Sequence, residues 1–241
     1  MFFHNHIHFD TISSTNDFVL SLKETKAFIE GLVVSSDYQF KGRGQRKKIW
    51  ESKCKENLLL SILIEPKIPI FKQFDISKYV ALALYDLLVL FKLDVKIKWP
   101  NDVIVGSKKI GGVLIQNSVS KNIITHSIIG VGLNINQQKF KKYIPEATSL
   151  KLELKNTQDI DFVKNSFLKC LKKRIIEYRL GECQENEYTK SLFLLDDIAS
   201  FESSGNVFEG IIRGVTKEGL LIIQIGEKYQ RFNLNEVSFL F

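Results

Sequence analysis

Apolar residues along this chain keep two rhythms, and the switches between them mark out elements. His6-Ile7-His8-Phe9-Asp10 alternates polar and apolar side chains, the period of a short strand. Thr11 to Asp17 follows, and its hydroxyl cluster is an N-cap signal for a helix whose apolar side is Phe18, Leu22 and Phe28. Gly31-Leu32-Val33-Val34-Ser35-Ser36 is strand-like, and Asn57 to Ile64, closed by Glu65-Pro66, is a nearly continuous apolar run that predicts a central strand. Residues 73–92 change to three- and four-residue steps (Ile76, Val80, Ala83, Leu84, Leu87, Leu88, Phe91), which predicts a helix. Val95 to Val105 reads as strand, interruption, strand, because Pro100 cannot donate to a ladder and Asn101-Asp102 favours a turn. Two strands carrying glycines follow, Lys108 to Gln116 and Ser127 to Asn136. Ile160, Val163, Phe167, Leu171, Ile175 and Tyr178 form a second long amphipathic helix that stops at Leu180-Gly181.

Beyond residue 190 the texture changes. Short apolar runs (Ile198 to Phe201, Val207 to Ile212, Leu220 to Ile225, Tyr229 to Phe232, Val237 to Phe241) are separated by Ser204-Gly205-Asn206, Lys217-Glu218-Gly219 and Gly226-Glu227. Turn signals at roughly ten-residue spacing predict a small β-barrel or meander. A chain of 241 residues has room for one large domain, or a medium one with a small appendage.

Composition narrows the class. With 44% hydrophobic and 25% charged residues, the chain has the make-up of a soluble globular protein. Its formal charge of +7 raises the question of a polyanionic partner. The excess is dispersed, through Lys23, Lys78, Lys121, Lys155 and Lys190 as well as Lys172-Lys173-Arg174, which is the pattern of a solvated surface. The 3 cysteines, Cys54, Cys170 and Cys183, have no CxxC spacing and argue for a reducing compartment without a disulfide framework or zinc site. His4, His6 and His8 would share one strand face, with no further ligand in sight. There is no basic n-region and nothing near the roughly 18 apolar residues of a membrane span, so the chain reads as cytoplasmic, with no membrane partner.

The candidate chemistry centres on Gln39 to Ser52. Gly42 and Gly44 lie among basic residues, and glycines let consecutive N–H groups converge on a phosphate or carboxylate while Arg43 and Arg46 add charge. Trp50 needs a flat or apolar cover in so polar a loop. Ser14, Thr15 and Asn16 supply neutral donors and acceptors fit for a polar uncharged group such as a ureido ring. Singly, each motif has a structural explanation: capping at 14–16, a turn at 101–102, a bulge at Gly111-Gly112, a strand end at Asn134.

As an ordered set they do not. Ser-Thr-Asn (14–16), Gly-Arg-Gly with a following Trp (42–50), Lys-Trp-Pro-Asn-Asp (98–102), Lys-Ile-Gly-Gly (109–112) and Gly-Val-Gly-Leu-Asn (130–134) closely resemble the biotin protein ligases along the whole chain. The resemblance implies an α+β fold: a mixed β-sheet with helices mainly on one face over residues 1–190, and a small SH3-like β-barrel over 191–241. It implies activation of biotin by ATP, with Mg2+, to biotinyl-5′-AMP. The biotinyl group then passes to a lysine of the biotin carboxyl carrier domain of acetyl-CoA carboxylase or a related carboxylase. By resemblance, Lys109 and Arg43 are catalytic, and Ser14, Thr15, Asn16, Gln39, Gly42, Arg43, Lys109 and Gly112 meet biotin. Arg43, Gly44, Gln45, Arg46, Trp50, Asn101, Lys109 and Asn134 surround ATP and the adenylate. Asp102 positions the loop or the acceptor lysine, or serves the metal; the magnesium ligands are not identifiable.

The chain departs from that pattern at Gln45 and at Lys47, where a second glycine is frequent. Ser14 comes too early for an N-terminal DNA-binding helix-turn-helix, which implies a monofunctional ligase, monomer or homodimer, with no DNA partner. The alternatives are a lipoate protein ligase of the same fold and, from another class, a basic nucleic-acid-binding module. Alternation along the strand further predicts that Lys109 points into the site while Lys108 points to solvent. Residues 40–50, poor in apolar surface, are expected to be the least protected part of the catalytic unit until ligand covers them.

Overall fold

A computed structural model describes residues 3, 5–45 and 48–240. His4, Arg46 and Lys47, singled out above, lie outside them. The order of elements is β1 (Asn5–Ile12), α1 (Thr15–Ser21), β2 (Leu32–Gln39), β3 (Asn57–Ile64), β4 (Ile68–Pro69), α2 (Gln73–Leu90), β5 (Val95–Lys98), β6 (Asp102–Val105), β7 (Lys108–Ser120) and β8 (Ile123–Asn134). Then come α3 (Leu150–Leu154), α4 (Ile160–Arg179), α5 (Glu185–Lys190), β9 (Ile198–Ser203), β10 (Asn206–Val215), β11 (Leu221–Ile225), β12 (Lys228–Phe232) and β13 (Ser238–Phe239).

The first eight strands form one mixed sheet, ordered β1-β2-β3-β8-β7-β6-β5 with β4 also on β8. β1 and β2 run parallel and the remaining pairs antiparallel. β3 is central, and every residue in it is buried. Alternation along it decides what each face does. Leu58, Leu60, Ile62 and Ile64 pack with Ile76, Val80, Leu84 and Leu87 of α2 and Val163, Phe167 and Leu171 of α4. Leu63, of the other parity, joins Leu32, Val34 and Ile128 under Val19 of α1. Burying such aliphatic side chains is worth roughly 1.5–3 kcal/mol each, which fixes the register of β3.

α1 is shorter than its apolar spacing implied. It ends at Ser21, and Phe28 packs against the same cluster from beyond the helix. β4, α3 and α5 are too short or too polar to carry a period.

The C-terminal strands form an antiparallel sheet ordered β12-β11-β10-β9-β13. Among the described residues its end strands β12 and β13 are not paired, so the sheet is curled but not a closed barrel. It shares a core with the larger sheet: Phe201, Ile212, Leu221 and Ile223 pack with Phe74, Ala81 and Leu82 of α2 and with Ile97 and Trp99. The Ile97 N–H donates to Ser191 O (2.8 Å) and the Phe193 N–H to Ile97 O (2.9 Å), so the connecting segment covers the β5 edge.

Candidate active site

On the face of the sheet opposite α2 and α4, β3, β8 and β7 bring side chains of one parity together. Ser61 stands opposite Gly130 and Asn57 opposite Asn134, while Gly112 is level with Gly132 and Leu114 with Gly130. Glycines therefore occupy the middle of this face, and the missing side chains make a hollow. A Cβ on Gly132 would fall 2.4 Å from Trp50 Cε2, and one on Gly130 would collide with the Asn16 amide. The cavity above measures about 1160 Å³, large for a single small ligand.

One end of the hollow is neutral and polar. Ser14 caps α1 by accepting from the Asp17 N–H (3.3 Å), which leaves Thr15 and Asn16 facing the sheet. The Thr15 N–H and hydroxyl both lie on Gln39 Oε1, at 2.7 and 3.1 Å. Asn16 donates from Nδ2 to Gln116 Oε1 (3.0 Å). Ser61 Oγ lies 2.6 Å from Thr15 Oγ1 and 2.5 Å from Asn16 Oδ1. Buried neutral groups paired in this way carry no net charge, which suits recognition of a polar, uncharged ring.

The other end is charged. The pairing of β6 with β7 slips between Val103 and Ile104, so Asp102 faces Gly112 and Ile104 faces Lys109. This bulge accommodates Ile110, which is fully buried, and puts Lys109 and Gly112 on the same face although they are three residues apart. Lys109 Nζ lies 2.6 Å from Asp102 Oδ1 and 5.6 Å from the centre of the Trp50 ring, while Lys108 is exposed. Outside the sheet, the Lys109 N–H donates to Glu146 O (2.7 Å) and its carbonyl accepts from the Thr148 N–H (2.9 Å). Asn101 holds the preceding turn by donating from Nδ2 to Val113 O (2.6 Å).

The basic loop is a narrow hairpin: the Trp50 N–H donates to Gly42 O (3.0 Å) and the Gly44 N–H to Lys48 O (2.7 Å). Arg43 reaches Asp17 of α1, Nη2 to Oδ2 at 2.9 Å. Two buried polar atoms on the cavity, Trp50 Nε1 and Asn134 Oδ1, have no hydrogen-bond partner among the described residues. Each such group costs roughly 1–3 kcal/mol, and both belong to residues that line the cavity.

Most of the residues singled out from the sequence converge here. Ser14, Thr15, Asn16, Gln39, Arg43, Gly44, Gln45, Trp50, Asn101, Asp102, Lys109, Gly112 and Asn134 line the one cavity. Gly42 does not line it. Gly42 forms the hairpin neck, where a Cβ would fall 3.0 Å from Trp50 O. Sequence reasoning missed Ser61 and Gln116, whose roles depend on parity across the sheet. It also missed the rim, where Glu51 Oε2 accepts from the Tyr143 hydroxyl (2.7 Å) and links the hairpin to residues 140–145. Burial, then that bond, pushes the Tyr143 phenol up to about 12, so it remains a donor. Val237, Ser238 and Phe239 of the C-terminal sheet complete the wall, with Lys98 Nζ 4.4 Å from the Phe239 ring centre.

No three-carboxylate cage lines the cavity among the described residues, where Asp102 and Glu51 supply the acidic side chains. Elsewhere His8 comes together with Asp10 and Asp37, not with His6, on the exposed side of β1 and β2.

Residues 8–134 match the biotin/lipoate A/B protein ligase family, and residues 200–240 match the biotin protein ligase C-terminal domain. The chain is 28% identical over 232 residues to the bifunctional ligase/repressor BirA of Bacillus spizizenii, covering 92% of this chain and 70% of that protein. It is 28% identical over 221 residues to the biotin--[acetyl-CoA-carboxylase] ligase of Mycobacterium tuberculosis, covering 88% and 80%. In fold it is similar to the biotin protein ligase of Aquifex aeolicus solved with biotin and ATP, with a TM-score of 0.81 at 24% identity over 99% of each chain.

Proposed function

The chain belongs to the biotin/lipoate A/B protein ligase family, and we propose that it is an ATP-dependent biotin protein ligase whose site is the cavity just described. The observation that carries this reading is the joining of a neutral polar pocket to a cationic one across a glycine floor. The neutral end suits the ureido ring of biotin. Its carboxylate then points toward Lys109, where it meets the nucleotide.

At neutral pH a carboxylate is a poor acyl donor. Its oxygen attacks the α-phosphorus of ATP, the bond to the β-phosphate oxygen breaks, and pyrophosphate leaves. Lys109 and Arg43 supply fixed positive charge where the two anions meet, which is where transition-state stabilisation is largest. Both cations are already paired, with Asp102 and Asp17, and each is transferred from its carboxylate to the substrate. Trp50 and Asn134 take up the adenylate end. In the second step the amine of an acceptor lysine on a biotin carboxyl carrier domain attacks the acyl carbon. The bond to AMP breaks, and the amine loses its proton; Asp102 is placed to orient that amine.

Magnesium requires one or two carboxylates with the phosphates themselves, and Asp102 and Glu51 fit that modest demand. When bound it neutralises the departing pyrophosphate. The division into a catalytic unit, 1–190, and a C-terminal unit, 191–241, belongs to the same proposal.

The family covers both biotin and lipoate ligases, and the match of residues 200–240 to the biotin ligase C-terminal domain favours biotin. The test is exchange of labelled pyrophosphate into ATP. Biotin is expected to support exchange and lipoate is not. Exchange with lipoate alone, or no exchange with either, would overturn the reading.

A further inference from the structure

Ser61 sits in the middle of β3 with no accessible surface, in a strand whose other residues are almost all aliphatic. Its hydroxyl has one proton and two close partners, Asn16 Oδ1 at 2.5 Å and Thr15 Oγ1 at 2.6 Å. An amide oxygen only accepts, so the Ser61 proton goes to Asn16. Ser61 must then accept at its other contact. The Thr15 hydroxyl also reaches Gln39 Oε1, at 3.1 Å, but two hydroxyl oxygens 2.6 Å apart need a proton between them, so the Thr15 proton points to Ser61 Oγ. Gln39 Oε1 retains the Thr15 backbone N–H, at 2.7 Å, and Asn16 passes the direction on through Nδ2 to Gln116. The string has one sense from Thr15 to Gln116, and Ser61 is the link that sets it.

We infer that Ser61 is the positioning residue for the ring-binding end of the site, fixing which atoms of Thr15 and Asn16 are offered as acceptors and which as donors. With the Thr15 proton turned down into the sheet, a lone pair of its Oγ1 is available to a ligand N–H. With Asn16 Oδ1 held by Ser61, the second Nδ2 hydrogen is available to a ligand carbonyl. A cyclic urea presents that combination of N–H and C=O, and a dithiolane ring presents neither. The fit is steric as well: Ser61 stands opposite Gly130, and the absent Cβ there gives the Asn16 amide its place. Ser61 therefore acts through Thr15 and Asn16. This deepens the biotin ligase reading and rests on it.

The experiment measures KM for biotin, KM for ATP, kcat and melting temperature for the wild type, Ser61→Ala and a control, Leu63→Ala. Leu63 lies two residues along on the same parity, in the cluster under α1. Losing a neutral hydrogen-bond link of this kind is expected to raise KM for biotin about tenfold in Ser61→Ala. KM for ATP should stay within about twofold and kcat should be retained, because the cationic end is untouched. Leu63→Ala should melt earlier with its biotin KM unchanged. An unchanged biotin KM in folded Ser61→Ala, or a parallel rise in both KM values, would overturn the inference while leaving the ligase reading intact. If Ser61→Ala does not fold, Ser61→Cys replaces it: a weaker donor of similar size should give a smaller rise, and no rise overturns the inference. A wild type without biotin-dependent turnover would overturn both readings.

Discussion

At the scale of single residues, the site is a matter of which of two adjacent side chains faces inward. Lys109 lies beside Asp102 and Trp50, and Lys108 is exposed. Lys109→Ala should therefore cost about 3–4 kcal/mol of transition-state stabilisation in adenylate formation, typical of losing one well-placed charged donor. Lys108→Ala should leave pyrophosphate exchange within about twofold of wild type, since an exposed charge gains little from the fold. Equal sensitivity of the two variants would refute the assignment. Lys109 was legible in the sequence because Lys-Ile-Gly-Gly is a local pattern, and charge in such a pattern rarely lacks a purpose. Ser61 was not legible. A serine in an apolar strand gives no sign of its importance until Gly130 is opposite it and α1 lies above it. The partner that gives it meaning is on another strand.

At the scale of elements, apolar rhythm located the long strands and helices well, because each is long enough to show a period. The bulge between β6 and β7 was not visible, although Gly111 and Gly112 marked the place. Its effect is to bring Lys109 onto the face of Gly112, while the two glycines, being adjacent, point to opposite faces. A Cβ on Gly111 would press on Leu133 and the Gly132 carbonyl, and one on Gly112 on Asp102 and Lys109. The glycine floor gives a prediction that separates the two ends of the site. Gly130→Ala must displace Asn16 and should raise KM for biotin, whereas Gly132→Ala must displace Trp50 and should raise KM for ATP more. A common loss of both affinities would mean that the floor is one unit, not two half-sites. The hairpin is expected to tighten on binding, as its polar make-up suggested. Its Gly44 and Trp50 amides are already bonded across the neck, so they should begin partly protected from hydrogen exchange and slow further with biotin and ATP. No change at either amide would exclude ligand-coupled ordering of this neck.

At the scale of the whole molecule, the C-terminal sheet is built into the site. The Trp99 indole N–H donates to Gly219 O (3.0 Å), Phe239 lies over Lys98, and the core beneath is shared with α2. Turn spacing alone made the last strands look like an appended barrel, since apolar counts do not say which partner an apolar face will find. The segment joining the two sheets is held by charge. Arg174 of α4, almost fully buried, bonds to both carboxylate oxygens of Asp86 at 2.7 Å and to both of Glu187 at 2.6 Å. Glu187 lies in the first turn of α5, whose Tyr188 lies in the shared core and whose end leads into the segment along β5. The hydrogen bond from Arg174 holds the Glu187 carboxyl below its ordinary value of 4.5. A group with a depressed folded-state pKa stabilises the fold above its unfolded value, and that contribution fades as pH falls through the folded one. The Glu187 contribution should thus be constant from neutrality down to about pH 4.5 and then decline. Half of the Glu187 side chain is exposed, so solvent screening keeps the effect modest. Glu187→Gln keeps the shape and removes the charge. Melting curves of the wild type and this variant, followed by tryptophan emission, should differ by a fixed amount at pH 5 to 8 and converge below that range. A gap that persisted undiminished into strong acid would show that Glu187 secures this junction through its shape and packing, not through its charge.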